Sequence, residues 1–89
     1  MPPDPAAQAR RCVEIVRSAL AELGTDLDDV VRTRVFLTDA ADADAVSAVH
    51  GEAFGAARPA ATMVVVAGLL DPRWRVEIEA EAVARDGGP

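Results

Sequence analysis

From Val76 to Ala82 apolar and acidic residues take turns. Val76, Ile78, Ala80 and Ala82 hold the even positions, and Glu77, Glu79 and Glu81 the odd ones. Successive side chains of an extended strand point to opposite faces, so a period of two belongs to a strand and not to a helix. The stretch from Trp74 to Ala84 therefore predicts a strand with one buried and one acidic face. That in turn requires a sheet with an inner and an outer side. The rest of the chain has to supply the partner strands and a cover for the inner side.

The cover is written in a different period. Ala9, Cys12, Val13, Val16, Leu20 and Leu23 recur at steps of three and four, the apolar stripe of an amphipathic helix, while Arg10, Arg11, Glu14, Arg17 and Glu22 take the other faces. Asp4 suits its N-cap, Pro5 its first position and Gly24 its stop. Thr25 to Asp29 is a polar connector with room for one helical turn. Val30 to Thr38 is rich in β-branched residues and free of Gly and Pro, which predicts a strand. Val31, Thr33, Val35 and Leu37 share one face of it, and Arg32, Arg34, Phe36 and Thr38 the other. The acidic run Asp39 to Asp44 suits the start of a second helix. Its buried face is Val46, Val49, His50, Ala53 and Phe54, and Gly55 ends it. After the loop Ala56 to Ala61, Thr62 to Ala67 reads as a strand apolar on both faces and so covered on both. Gly68 to Arg73, with Asp71-Pro72, is a turn.

The order α-β-α-β-β predicts one α+β domain over residues 1–89, with a lead-in at 1–4 and a frayed tail at 86–89. Two helices on one face of three strands leave the other face bare. Met63 or Val64, Val65 or Val66 and part of the last strand would lie on that face, and a bare apolar face marks an interface. Size points the same way. A chain of 89 residues buries only about 60–65% of its unfolded surface. With one Trp, two Phe and no Tyr, its apolar half is mostly small side chains. Self-association is the expected remedy.

Other classes are disfavoured. A net charge of −6 repels phosphate backbones, which argues against nucleic acid. The single cysteine, Cys12, allows no disulfide framework and no cysteine-based zinc site. No apolar run reaches a membrane span, and Met-Pro-Pro-Asp-Pro is not a secretory leader, so a cytoplasmic location is expected.

Glycine-rich phosphate loops, nucleophile elbows and paired metal-binding histidines are absent. Cys12 lies on a buried stripe and reads as a packing thiol. His50, the lone histidine, reads as a hydrogen-bonded core residue and offers no metal site. Glu77, Glu79 and Glu81 share one strand face. They admit two readings: carboxylates raising one another's pKa for proton or water handling, or a face paired with Arg32 and Arg34. Arg58 either holds a substrate carboxylate or simply precedes a turn proline.

Four segments in order extend the reading. The run Asp29-Val30-Val31-Arg32-Thr33-Arg34-Val35-Phe36-Leu37-Thr38-Asp39 resembles the first central strand of the Rid family, the YjgF/YER057c/UK114 group of reactive-intermediate deaminases. Arg58-Pro59-Ala60-Ala61-Thr62 with Val64-x-Val66-Ala67-Gly68-Leu69 resembles its signature loop and strand. Arg75-Val76-Glu77-Ile78-Glu79-Ala80 resembles its closing strand, and Gln8-Ala9-Arg10 the start of its first helix. The resemblance runs from about Asp4 to Arg85. It implies a chorismate-mutase-like fold, a homotrimer with sites in clefts between subunits, and hydrolysis of small enamines or imines to a keto product and ammonia. It implies neither a metal nor an organic cofactor. The family's water-positioning glutamate carries over to Glu77. Arg58, Ala61 and Met63 are the candidate substrate-binding positions. The family arginine, which binds the substrate carboxylate, falls on Ala61, a residue that cannot form that clamp. Ser47 and His50 stand where the family often has Asn and Tyr, and Glu81 replaces a usually apolar residue. The family's opening strands, which precede its first helix, have no counterpart here, which leaves a strand edge to be covered. The resemblance therefore also allows a non-catalytic binding or assembly module, or an enzyme of altered specificity.

Overall fold

The computed structural model describes residues 3–84; the predicted tail at 86–89 and the first two residues of the lead-in lie outside them. Helix α1 spans Pro5–Glu22. The Asp4 carboxylate caps it by accepting the Ala7 N–H at 3.0 Å, and Pro5 fills its first turn, where a missing N–H costs nothing. Gly24 follows the end of the helix at φ 78°, a left-handed conformation that glycine adopts without strain. A single 3₁₀ turn at Leu27–Asp29, closed by a capping box with Asp26, leads into β1 at Val30–Leu37. A 3₁₀ turn at Ala40–Asp42, helix α2 at Ala43–Phe54, β2 at Ala60–Val65 and β3 at Val76–Ala82 complete the order.

The sheet runs β2-β1-β3, with β1 parallel to β2 and antiparallel to β3. A parallel pair needs a crossover, and α2 provides it. Register then sorts the side chains. Thr33, Val35 and Leu37 pair with Ala61, Met63 and Val65 on one side and with Ala80, Ile78 and Val76 on the other. This set forms the inner face, covered by the helices along β1 and β3 and left open at Ala61 and Val65 of β2. The core it shares with Ala9, Val13, Val46, Val49 and Phe54 is closed to solvent. Arg32, Arg34 and Phe36 face outward with Thr62 and Val64 of β2 and Glu77, Glu79 and Glu81 of β3.

Four expectations are corrected. Leu23 is 76% exposed, because it caps α1 at the point where the chain turns away. Val31 is half exposed and Val30 is buried instead, because the β1–β3 register shifts between Val30 and Arg32. β2 begins and ends earlier than its apolar run and is an edge strand, so Val64 and Val65 stay exposed rather than covered on both faces. The bare outer face is present, but it is charged rather than largely apolar, because the arginines of β1 and the glutamates of β3 share its parity.

His50 behaves as the sequence suggested. Its Nε2 lies 2.8 Å from the hydroxyl of buried Thr33, and its ring packs on Phe54 at a centroid distance of 4.8 Å. Burial pushes its pKa below the ordinary 6.5. The unfolded chain therefore binds this proton more readily. The neutral ring's contribution to stability is complete above 6.5 and is lost as pH falls through the lower, folded value. Denaturant titrations at a series of pH values should show His50→Gln, which keeps a partner for Thr33 but does not titrate, losing less stability on acidification than the wild type. Parallel curves would exclude this role.

Candidate functional site

The outer face is organised by its charges. Arg34 Nε lies 3.5 Å from Glu79 Oε1, its Nη2 lies 3.8 Å from Glu81 Oε1, and Arg32 Nη1 lies 3.7 Å from the same Glu81 oxygen. All four side chains are open to solvent, so each contact contributes about 1 kcal/mol or less. The paired reading therefore holds for Glu79 and Glu81. It does not extend to Glu77, which stands opposite Phe36 and has no cationic partner among the described residues.

Glu77 borders a groove of about 850 Å³ between α1 and β3, walled by Cys12, Ile15, Val16, Trp74 and Ile78. The Cys12 thiol sits at its back, 3.9 Å from the Val76 carbonyl. Burial raises its pKa, a hydrogen bond from the Ile78 main chain opposes part of that rise, and the Glu77 charge adds a smaller increment to it. A raised thiol is a poor nucleophile, in keeping with a packing role.

The position of Glu77 is set by contacts that the sequence reading missed. Asp42 is 5% exposed and receives Arg75 Nε at 2.9 Å and Nη2 at 2.8 Å. Gln8, buried on α1, donates its Nε2 to the Arg73 carbonyl at 3.0 Å and accepts the Arg75 N–H through Oε1 at 2.7 Å. Together they fix the entry to β3, two residues before Glu77. The available signal was faint: Gln8 lies beside Ala9 on the apolar side of α1, where a polar residue needs a partner.

The substrate-binding candidates lie elsewhere. Arg58 is exposed at φ 51° on the approach to β2, its N–H bonded to the Phe54 carbonyl at 3.0 Å. Ala61 and Met63 occupy the inner face of β2, and the Met63 sulfur contacts Ser47 Oγ at 4.0 Å. Glu77 is on the outer face of β3, with β1 between the two strands, a separation of roughly 9–10 Å across the sheet. Within one chain these positions do not converge. Among the described residues no cluster of three His, Cys, Asp or Glu side chains could hold a metal, and no helix is long and apolar enough to cross a membrane.

Comparison with known proteins places these features in context. Residues 1–84 match the family model described as Endoribonuclease L-PSP. A crystal structure of a YjgF/YER057c/UK114 family member from Mycobacterium tuberculosis superposes with a TM-score of 0.89 at 44% identity, covering 92% of this chain and 70% of that one. The Escherichia coli YjgF gene product gives a TM-score of 0.86 at 36% identity, covering 96% and 68%. The 3-aminoacrylate deaminase RutC of Acinetobacter baylyi is 39% identical over 79 residues, which is 89% of this chain and 62% of that protein. The chain spans about three fifths of the length of the curated relatives it matches.

Proposed function

The chain belongs to the Rid family and has its chorismate-mutase-like fold, and from that premise we propose that it is a deaminase-type hydrolase of small enamines or imines, with Glu77 positioning the attacking water. The carrying observation is the state of Glu77. It is the one carboxylate of its face that the β1 arginines leave unpaired, and it borders a groove. A free carboxylate can accept a hydrogen bond from water and orient it toward an imine carbon. Water adds to the C=N bond to give a carbinolamine. Loss of ammonia then leaves the carbonyl product, with atoms and charge balanced and no electron transfer. The relative named as a 3-aminoacrylate deaminase supports this reaction class. The acidic balance of the chain speaks against an RNA substrate.

The separation of Glu77 from Arg58 and Ala61 favours sites completed between copies, in a homotrimer packed through the outer sheet faces. Ala61 favours a second reading, altered specificity. Without a guanidinium at this position, a substrate carboxylate lacks a bidentate partner, and each missing charged hydrogen bond forfeits on the order of 1.5–3 kcal/mol.

The test is release of ammonia and keto acid from enzymatically generated 2-iminoacids, followed with the 89-residue protein. Acceleration over buffer is expected, with Glu77→Gln reducing it by roughly 10²–10⁴-fold. Folded wild-type protein that gives no acceleration would remove this substrate class and leave the binding or assembly module. Acceleration that survives Glu77→Gln unchanged would remove Glu77 from the chemistry. A stable monomer in sedimentation would contradict the shared site.

A further inference from the structure

The outer face of the sheet carries its charges in two rows. β1 sets Arg32 and Arg34 along one line, and β3 sets Glu81 and Glu79 along the next, opposite them in register. Phe36 continues the arginine row, with Val64 of the β2 edge beside it, 41% exposed. The rows do not satisfy each other. Their closest contacts lie at 3.5, 3.7 and 3.8 Å, and among the described residues neither guanidinium makes a hydrogen bond. Elsewhere in the chain arginine closes on carboxylate as a two-pronged pair. Arg75 reaches Asp42 at 2.8 and 2.9 Å, and Arg73 reaches Asp71 at 2.6 and 3.1 Å. A guanidinium offers a fork of donors and a carboxylate several acceptor sites. The outer face therefore keeps most of both open to solvent.

Both signs on one face constrain what fits it. A nucleic acid would be drawn to the arginine row and repelled by the glutamate row, and a basic peptide the reverse. The recess between the rows, about 110 Å³, is smaller than a metabolite needs. A complementary partner has to carry the same two rows in reverse order. A second copy of this chain, turned about an axis beside the face, presents them so. Arginines of one copy then meet glutamates of the next, with Val64 and Phe36 supplying apolar contact beside them. We infer that the Arg32–Arg34 and Glu79–Glu81 rows select the partner in self-association: they admit copies with the same row order and reject chains whose rows are exchanged. This inference rests on the proposed site shared between copies, and adds to it the rule by which the copies are chosen. Like charges brought together in a contact are strongly penalised, so the pattern acts chiefly by exclusion.

The test exchanges the rows without changing the composition. In Arg32→Glu/Arg34→Glu/Glu79→Arg/Glu81→Arg every in-register pair is kept within the chain, at positions open to solvent, while the order of the rows is reversed across the contact. Wild type and exchanged chain, one of them labelled with a heavy nitrogen isotope, are unfolded together in urea, refolded as a mixture and weighed by native mass spectrometry. Each is expected to assemble with itself, and mixed species should fall about tenfold or more below random mixing. Arg34→Glu/Glu79→Arg repeats the test at one pair should the first variant lack the wild-type circular dichroism spectrum. Random mixing of wild type with a folded exchanged chain overturns the inference. So does an exchanged chain that folds but stays monomeric where the wild type assembles. Both results leave the shared site standing, whereas a wild type that is itself monomeric removes the shared site and the inference together.

Discussion

Phe54→Ala should destabilise the protein by about 3–5 kcal/mol, enough to leave little of it folded. Phe54 is 1% exposed at the end of α2 and is the largest of the fully buried side chains. Phe36 and Trp74 are only partly buried, and the ring packed against Phe54 is the smaller imidazole of His50. The surrounding side chains are mainly valines, leucines and alanines, which have little reach to collapse into the space left behind. Domains of ordinary size hold only about 5–15 kcal/mol in total, and a thin core belongs at the low end of that range. Urea unfolding followed by circular dichroism would show a midpoint near zero or no cooperative transition. A loss below about 1.5 kcal/mol would mean that the core repacks freely around the gap.

The second large effect is asymmetric. Arg75→Met should cost about 2–3 kcal/mol, and Asp42→Asn about 1 kcal/mol. The difference lies in what each change strands. Without the guanidinium, a carboxylate that is 5% exposed remains in the interior with its charge unanswered. Without the carboxylate charge, the amide oxygen still accepts one of the bonds, and Arg75, 40% exposed along its side chain, can turn to water. The partial exposure of Arg75 keeps the first figure below that of a wholly enclosed pair. Equal losses from the two substitutions, measured by the same urea titration, would show that the pair acts through packing and not through charge.

Much of the fold is legible in the sequence because α1, β3 and most of β1 each meet one environment per face. Their periods therefore survive undisturbed in the order of residues. What is not legible is which strand lies between the others. The apolar run Met63 to Val66 reads as an interior strand, yet β2 lies at the edge and the arginine-bearing β1 is central. Arg32 and Arg34 are tolerated there because Glu79 and Glu81 arrive opposite them, the one of the two readings of that acidic face which the strand register selects. The Gln8 contacts reach 65 and 67 residues along the chain and the Asp42–Arg75 pair 33, beyond any local pattern. The candidate site divides in the same way. The resemblance singled out Glu77, and the structure adds that it stands apart from the ion pairs beside it. Face parity between β2 and β3 depends on pairing, so the distance of Glu77 from Ala61 and Met63 could not be read from spacing.

Of the three described strands, the last in chain order is the one that ties the others down. β3 lies against the full length of β1, and the segment leading into it receives the first turn of α1 through Gln8. During translation, α1, β1, α2 and β2 therefore leave the ribosome with the inner face of β1 only half flanked and the amide of Gln8 without its loop. Contacts so distant in sequence close late. Until β3 emerges, β1 lacks a partner along one edge, the form in which unpaired strands find wrong partners. Settings that slow translation of β3 should lower soluble yield more than equal delays placed earlier in the message.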